Sequence, residues 1–388
     1  MIPVINKRQY SDCIDYINKH WKTLTAKTTK DNGLIIGLPN PYICPSRDEF
    51  DKKMYYWDSY FIILGLLCSG KVTLVKGMAE NLFYLFNRFE FIPQSNRFYH
   101  LGKSNPLFLT SIIEEIFSVT QDKSWLRNAL KVAIGEYEKV WTSGYRLTEN
   151  GLSRYWEPTH THEQAEDESG WDRTTRFLNK CLDINPIDLN CLLYKYEKDF
   201  SSFYANLNNT KKSAYWKRSA SNRKKLINKY MWDEKKGFFF DYDFKKQKTT
   251  NTWTLAGFFP LFTNLADKKQ ALQLKNKLKH FEKTHGLVTT RKRYLKDNNT
   301  QWDYPIGWAP LHWIVIKGLL NYDLKEEAER IAVKWLNTCT KTFNKTGKFW
   351  EKYDVVKQDI GKIGRYATQS GFGWTNGVFV KIYAVFNK

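Results

Sequence analysis

No apolar run in the sequence approaches the length of a membrane span. The longest, FIILGLLC at residues 61–68, falls far short of the ~20 residues that a transmembrane helix requires. The N-terminus, MIPVINKRQYSDCIDYINKHW, has neither an apolar h-region nor a small-residue cleavage site, so a protein of the cytoplasm is expected. Cysteine is sparse and scattered: the six stand at positions 13, 44, 68, 181, 191 and 339, with no CxxC pair. That spacing indicates neither a zinc knuckle nor a disulfide framework, and reduced thiols are the default. Gly/Ser linkers, acidic tails and low-complexity tracts that would divide the chain are missing too. The 388 residues therefore read as one domain, 1–388, with 1–34 as an N-terminal lead-in.

Aromatic rings are the surplus. With 15 Trp, 23 Tyr and 25 Phe they make up 16% of the chain, ample for a packed core and suited to the flat faces of sugars. The formal charge of +21 raises a polyanion-binding reading, because basic surfaces attract nucleic acid and anionic membranes. The cations, however, are spread in short groups such as Arg223-Lys224-Lys225 and Lys268-Lys269, without a basic tail, zinc finger or RNA-binding motif. A solvated basic surface is expected, with no nucleic-acid or membrane partner.

Helical spacing dominates. Val75, Met78, Leu82, Leu85 and Phe89 share one helix face, as do Leu126, Leu130, Ile134, Tyr137 and Trp141. Leu189, Leu192, Leu193, Tyr196, Phe200 and Phe203 follow an Asn185-Pro186 start signal, and Ala328, Ile331, Ala332 and Trp335 mark a later helix. GFFFDYDFKK from Gly237 reads instead as a short strand or hairpin. Antiparallel helix pairs with function in their connecting loops are the coarse expectation.

The stretch ESGWDRTTRF sets Asp172 after Trp171 and ahead of Arg173 and Arg176. Two further Trp-Asp pairs, Trp57-Asp58 in MYYWDSYF and Trp302-Asp303 in QWDYPIGWAP, lie outside ordinary helix-face positions, while Trp232-Asp233 resembles an ordinary turn. Separated carboxylates among aromatic platforms are what glycosidic cleavage needs. One carboxylic acid protonates the leaving oxygen while a second carboxylate activates water or attacks directly. Apolar surroundings raise the pKa of the acid, and polar, solvated surroundings keep the base ionised. Asp172 beside Trp171 fits the first description; Glu351, between Trp350 and Lys352, fits the second.

MYYWDSYF, NRFYHLGKSNPLF, ESGWDRTTRF, DINPIDLNCLLYKYEK, QWDYPIGWAP, EKYD and GFGWTNGV, in that order, resemble the successive motifs of the trehalase family, glycoside hydrolase family 37. The resemblance extends from about residue 35 to 380 and is read as a short cytoplasmic variant. It implies an all-α (α/α)6 barrel, with short β-hairpin insertions in its loops. It further implies hydrolysis of an α-glucosidic bond, that of α,α-trehalose, with inversion, no cofactor and no metal. The general acid would be Asp172 and the general base Glu351, with their carboxyls roughly 6.5–9.5 Å apart. Trp57, Asp58, Gly170, Trp302, Asp303, Arg97, Phe372 and Trp374 match sugar-site positions. The partner is then a small sugar, and a monomer is expected.

Other positions depart from the family's pattern. Gln94 stands for an Asn, Lys103 for an Arg, Asn105 for a Gln and Arg365 for a Glu. The PSRDEFDKKM segment replaces a glycine-rich one and leaves Arg47 and Phe50 as candidate substitutes for its sugar-binding residues. An anionic glucoside is thus an alternative substrate. Two other functions stay open on the residues alone: a non-hydrolytic sugar-binding homologue and a basic polyanion-binding helical protein. His160, His162 and Glu163 read as surface-loop residues, and GFGWTNG lacks the Lys-Ser/Thr of a phosphate loop.

Overall fold

The computed structural model describes residues 7–292 and 300–387; the first six residues of the expected lead-in lie outside them. Two concentric rings of helices make the body. The outer ring holds α1 (Ser11–Leu24), α3 (Val72–Phe89), α5 (Lys123–Glu136), α8 (Thr210–Met231), α10 (Lys268–Lys277) and α12 (Lys325–Thr346). The inner ring holds α2 (Tyr56–Cys68), α4 (Leu109–Thr120), α7 (Ile187–Asn206), the short α9 (Phe259–Phe262), α11 (Ala309–Leu320) and α13 (Gly373–Phe386). Successive inner helices touch, and α13 closes the ring against α2. This is the (α/α)6 barrel.

The two rings follow from composition. In α2 every residue from Tyr56 to Leu66 is buried, and α11 is similarly enclosed, as helices apolar all round must be. The outer α3 and α12 bury one stripe each, including the predicted Val75, Met78, Leu82 and Leu85, and Ala328, Ile331, Ala332 and Trp335. The stripe expected over 126–141 spans α5 and a π-helical turn at Tyr137–Trp141. Helix α1 falls within the expected lead-in. Its buried face of Cys13, Ile17, Trp21 and Leu24 packs it on α13 as part of the outer ring.

Closure depends on two glycines. A Cβ on Gly65 would stand 2.6 Å from the Gly377 Cα, and one on Gly377 only 2.1 Å from the Phe61 carbonyl. The final glycine of GFGWTNG thus serves helix packing. The β structure is confined to loops. Ile306–Trp308, Lys352–Asp354 and Asp359–Ile360 pair antiparallel, with Trp308 opposite Lys352. GFFFDYDFKK does not form one hairpin: Phe238–Phe239 pairs with Trp232–Asp233, and Tyr242–Asp243 pairs with Ile184–Asn185 and Lys248–Thr249. Trp232-Asp233, expected as a turn, is therefore in a strand, and Asp233 accepts the Lys236 N–H at the turn that follows.

Candidate active site

The N-terminal ends of α2, α11 and α13 and the loop before α4 meet at one end of the barrel, where a cavity of about 290 Å³ opens. Trp57 and Asp58 reach it from the first turn of α2, Trp308 from the residue before α11, and Phe372 and Trp374 from the start of α13. Tryptophans form a continuous apolar wall. Trp302 and Trp308 stack at 3.9 Å, Trp57 lies 5.6 Å from Trp302, and Trp374 meets Trp57 edge-on at 5.7 Å. Phe372 packs 4.8 Å from Trp374.

Asp172 lines this cavity. Gln301 Nε2 donates to its Oδ2 at 2.6 Å and Trp302 Nε1 to its Oδ1 at 3.2 Å. Burial first, and the charge of Asp167 second, push its carboxyl up to about 6, against the pull of Arg365. The residues that flank Asp172 in the sequence are not all its neighbours in space. Trp171 turns into the core and stacks 5.5 Å from Trp302, so the ring that meets Asp172 is Trp302 itself. Arg176 does not neutralise Asp172: fully buried, it holds Asp188 and Asp241 in bidentate pairs and lies 4.6 Å over Trp171. Arg173 is exposed. Gly170 is needed for its φ of +70° and because a Cβ there would come within 2.9 Å of Trp57.

Glu351 lines the same cavity, but solvent does not surround it as expected; it is 1% exposed. Its charge is matched from within the protein. Lys352 Nζ donates to Oε2 at 3.1 Å, and the Tyr366 hydroxyl donates to Oε1 at 2.6 Å. Burial and the Glu351 charge push Tyr366 far above the ordinary phenol range, so it remains a donor. Asp58 is buried too, and burial together with Glu351 raises its carboxyl well above the usual range.

The mouth has another character. Asp167, on the short α6 (His162–Glu168), receives Arg365 at 2.9 and 3.3 Å and Lys103 at 3.8 Å. Gln94 donates to the Asp167 carbonyl at 3.1 Å, and Lys103 also donates to Gln164 at 2.6 Å. Asn105 lines the cavity with both amide atoms buried and unpaired.

Two expected sugar contacts are held by other parts of the protein. Arg97 is not among the cavity-lining residues; its guanidinium donates to the carbonyls of Lys52 and Asp51 at 2.9 and 3.2 Å and secures that loop. Asp303 is likewise not among the cavity-lining residues; its carboxylate accepts from Thr174 Oγ1 at 3.1 Å and Thr175 N at 2.9 Å, which joins the Trp302 loop to the Asp172 loop. Of the two candidates in the 45–54 segment, Phe50 lines the cavity, whereas Arg47 pairs with Asp51 near the surface. The residue reading missed Asp167, Tyr55, Trp308, Gln301 and Tyr366; the last two adjoin residues it selected, Trp308 lies in a motif it quoted, and Asp167 shows no local signal. His162 Nδ1 accepts the Leu182 N–H, and His160 packs on Trp156.

An aromatic-walled cavity holding two hydrogen-bonded carboxyls, at the end of a double ring of helices, has the parts of a glycoside hydrolase. The sequence pattern described as Trehalase matches residues 2–168 and 157–387. The periplasmic trehalases of Shigella flexneri serotype 5b and of Escherichia coli O1:K1 are each 32% identical, over 95% of this chain and 73% of theirs. Neutral trehalase Nth1 from Saccharomyces cerevisiae superposes with a TM-score of 0.79 at 30% identity, covering 96% of this chain and 79% of that one. The chain belongs to the trehalase family. A GH63 mannosylglycerate hydrolase from Thermus thermophilus shares the fold, with a TM-score of 0.74 at 15% identity over 95% of this chain and 99% of that one.

Proposed function

We propose that the chain hydrolyses α,α-trehalose to two glucoses with inversion, Asp172 acting as general acid and Glu351 as general base. Asp172 gives its proton to the glycosidic oxygen as the C–O bond breaks. Glu351 takes a proton from the water whose oxygen bonds to the anomeric carbon from the opposite face. Asp172 leaves the reaction anionic and Glu351 protonated, and exchange with solvent resets both. One glucose rests on the Trp57, Trp302 and Trp374 rings with Asp58 at its hydroxyls, and the second occupies the side toward Gln94, Lys103 and Asn105.

The reading rests chiefly on one observation: Asp172 and Glu351 line one cavity, each with hydrogen-bond donors of its own. The relatives' trehalase names support the substrate. So does the mouth. Lys103 and Arg365 both face Asp167, which offsets part of their charge and favours a neutral disaccharide over an anionic glucoside. The proposal extends to a single-domain monomer of the cytoplasm, where the six free thiols would stay reduced; cell fractionation and light scattering test those two points. Incubation of the purified protein with trehalose and with charged α-glucosides tests the substrate. Glucose release from trehalose at the highest kcat/KM is expected, and clear preference for a charged glucoside would overturn the assignment.

A further inference from the structure

Gln301 and Lys352 come from distant parts of the chain and meet beside the cavity. Gln301 Nε2 donates to Asp172 Oδ2 at 2.6 Å, while its Oε1 accepts from Lys352 Nζ at 3.2 Å. Lys352 Nζ donates onward to Glu351 Oε2 at 3.1 Å. The side chains of Asp172, Gln301, Lys352 and Glu351 thus form an unbroken hydrogen-bonded series from one carboxyl to the other. Space for it is provided by Gly364, where a Cβ would stand 2.7 Å from Gln301 Oε1 and 3.1 Å from Lys352 Nζ.

The series has a fixed polarity. An ammonium only donates, so the Gln301 end beside Lys352 must be the carbonyl. Its amide then has to present N–H to Asp172, and the reverse orientation would set an NH₂ against an ammonium. Lys352 is itself fully enclosed, with Nζ 5.3 Å from the Trp308 ring centre and 5.2 Å from that of Tyr366. A cation so deeply buried needs a fixed anion, and among the described residues its salt-bridge partner is Glu351. Neither side chain has to touch the scissile bond to matter. In-line attack by water tolerates little error in the placement of the two carboxyls.

We propose that Gln301 and Lys352 are positioning residues that tie the two catalytic carboxyls together, fixing their spacing, and that Lys352 supplies the charge that keeps Glu351 competent as a base. This rests on the assignment of Asp172 and Glu351 above. The other charged or titratable groups around the pair are Asp58 and Tyr366 on the Glu351 side, and Asp167, Glu166, Arg365 and Tyr55 around Asp172.

The test compares Gln301→Met, Lys352→Met and the double variant by kcat and KM, with Asp172→Asn and Glu351→Gln as controls. Each single variant is expected to lose kcat by about 100-fold with KM changed by less than about threefold. The double variant should be no more than about threefold worse than the poorer single one, as members of one unit behave. If the two losses multiply, or if both singles keep wild-type kcat, the tie is refuted. Should Lys352→Met not fold, Gln301→Met alone decides, since it alters no charge: a kcat loss under about threefold refutes the tie. Active control variants would instead refute the carboxyl assignment, whereas inactive controls beside fully active Gln301 and Lys352 variants would refute only the tie.

Discussion

The tryptophan wall and the mouth of the cavity are built on different principles. At the wall, Trp57, Trp302 and Trp374 pack on one another, and Trp302 and Trp374 point their indole N–H groups at Asp172 and at the Glu351 backbone. Everything there is anchored before a sugar arrives. At the mouth, Arg365 is partly exposed and pairs with both Asp167 and Glu163, Lys103 reaches the same Asp167, and Asn105 leaves its amide without partners among the described residues. The difference teaches where rigidity and where choice reside: the wall is packed and hydrogen-bonded within itself, and the mouth keeps polar groups that a bound molecule could use.

That contrast can be broken by substitution. The largest effects belong to the carboxyls, with Asp172→Asn and Glu351→Gln each expected to lower kcat by about 10²–10⁴-fold while the thermal transition stays near wild type. Next comes Asp303→Ala. It removes the acceptor of two hydrogen bonds that join the Trp302 and Asp172 loops, so a loss of about 1–3 kcal/mol in stability is expected. A kcat loss of about 10–100-fold should accompany it, with little change in KM. A rise in KM alone would return Asp303 to the sugar-contacting role.

Smaller effects separate the mouth from the wall. Asp172 must be protonated to act, so activity should fall as pH rises through about 6, the value to which burial and Asp167 bring its carboxyl. Asp167→Asn removes a negative charge that helps to hold that proton and should move the alkaline limb downward. Arg365→Gln removes an opposing positive charge and should move it upward, each by less than about one unit. The same sign for both variants would show that Asp167 and Arg365 act only as a pair. Least of all, Arg47→Ala should leave kcat/KM within about twofold, since its ion pair with Asp51 is partly exposed. Phe50→Ala, which opens the cavity wall, should raise KM by about tenfold.

How far the sequence foretold this site is best seen in its three Trp-Asp pairs. At Trp57-Asp58 both side chains line the cavity, from the first turn of α2. At Trp171-Asp172 only the acid does, because the indole stacks beneath Trp302; at Trp302-Asp303 only the ring does, because the carboxylate caps a neighbouring loop. One dipeptide thus has three outcomes, set by the backbone path on either side of it, and no local pattern records that path. The long helices were legible from their apolar spacing. The two-residue strands were not, since too few residues carry a period and their partners are far away in the chain, as with Ile184–Asn185 and Tyr242–Asp243. The environment of Glu351 was misread for a related reason. Its neighbour Lys352 suggested solvent, whereas the fold buries both.

The most direct measurement of the central claim is ¹H NMR of the first glucose formed from α,α-trehalose, recorded faster than mutarotation. Attack by water opposite a departing α-linked sugar yields one β-glucose for every α-glucose released as leaving group, so equal amounts of the two anomers are predicted at the onset. Formation of α-glucose alone would mean retention, and would contradict the division of labour between Asp172 and Glu351.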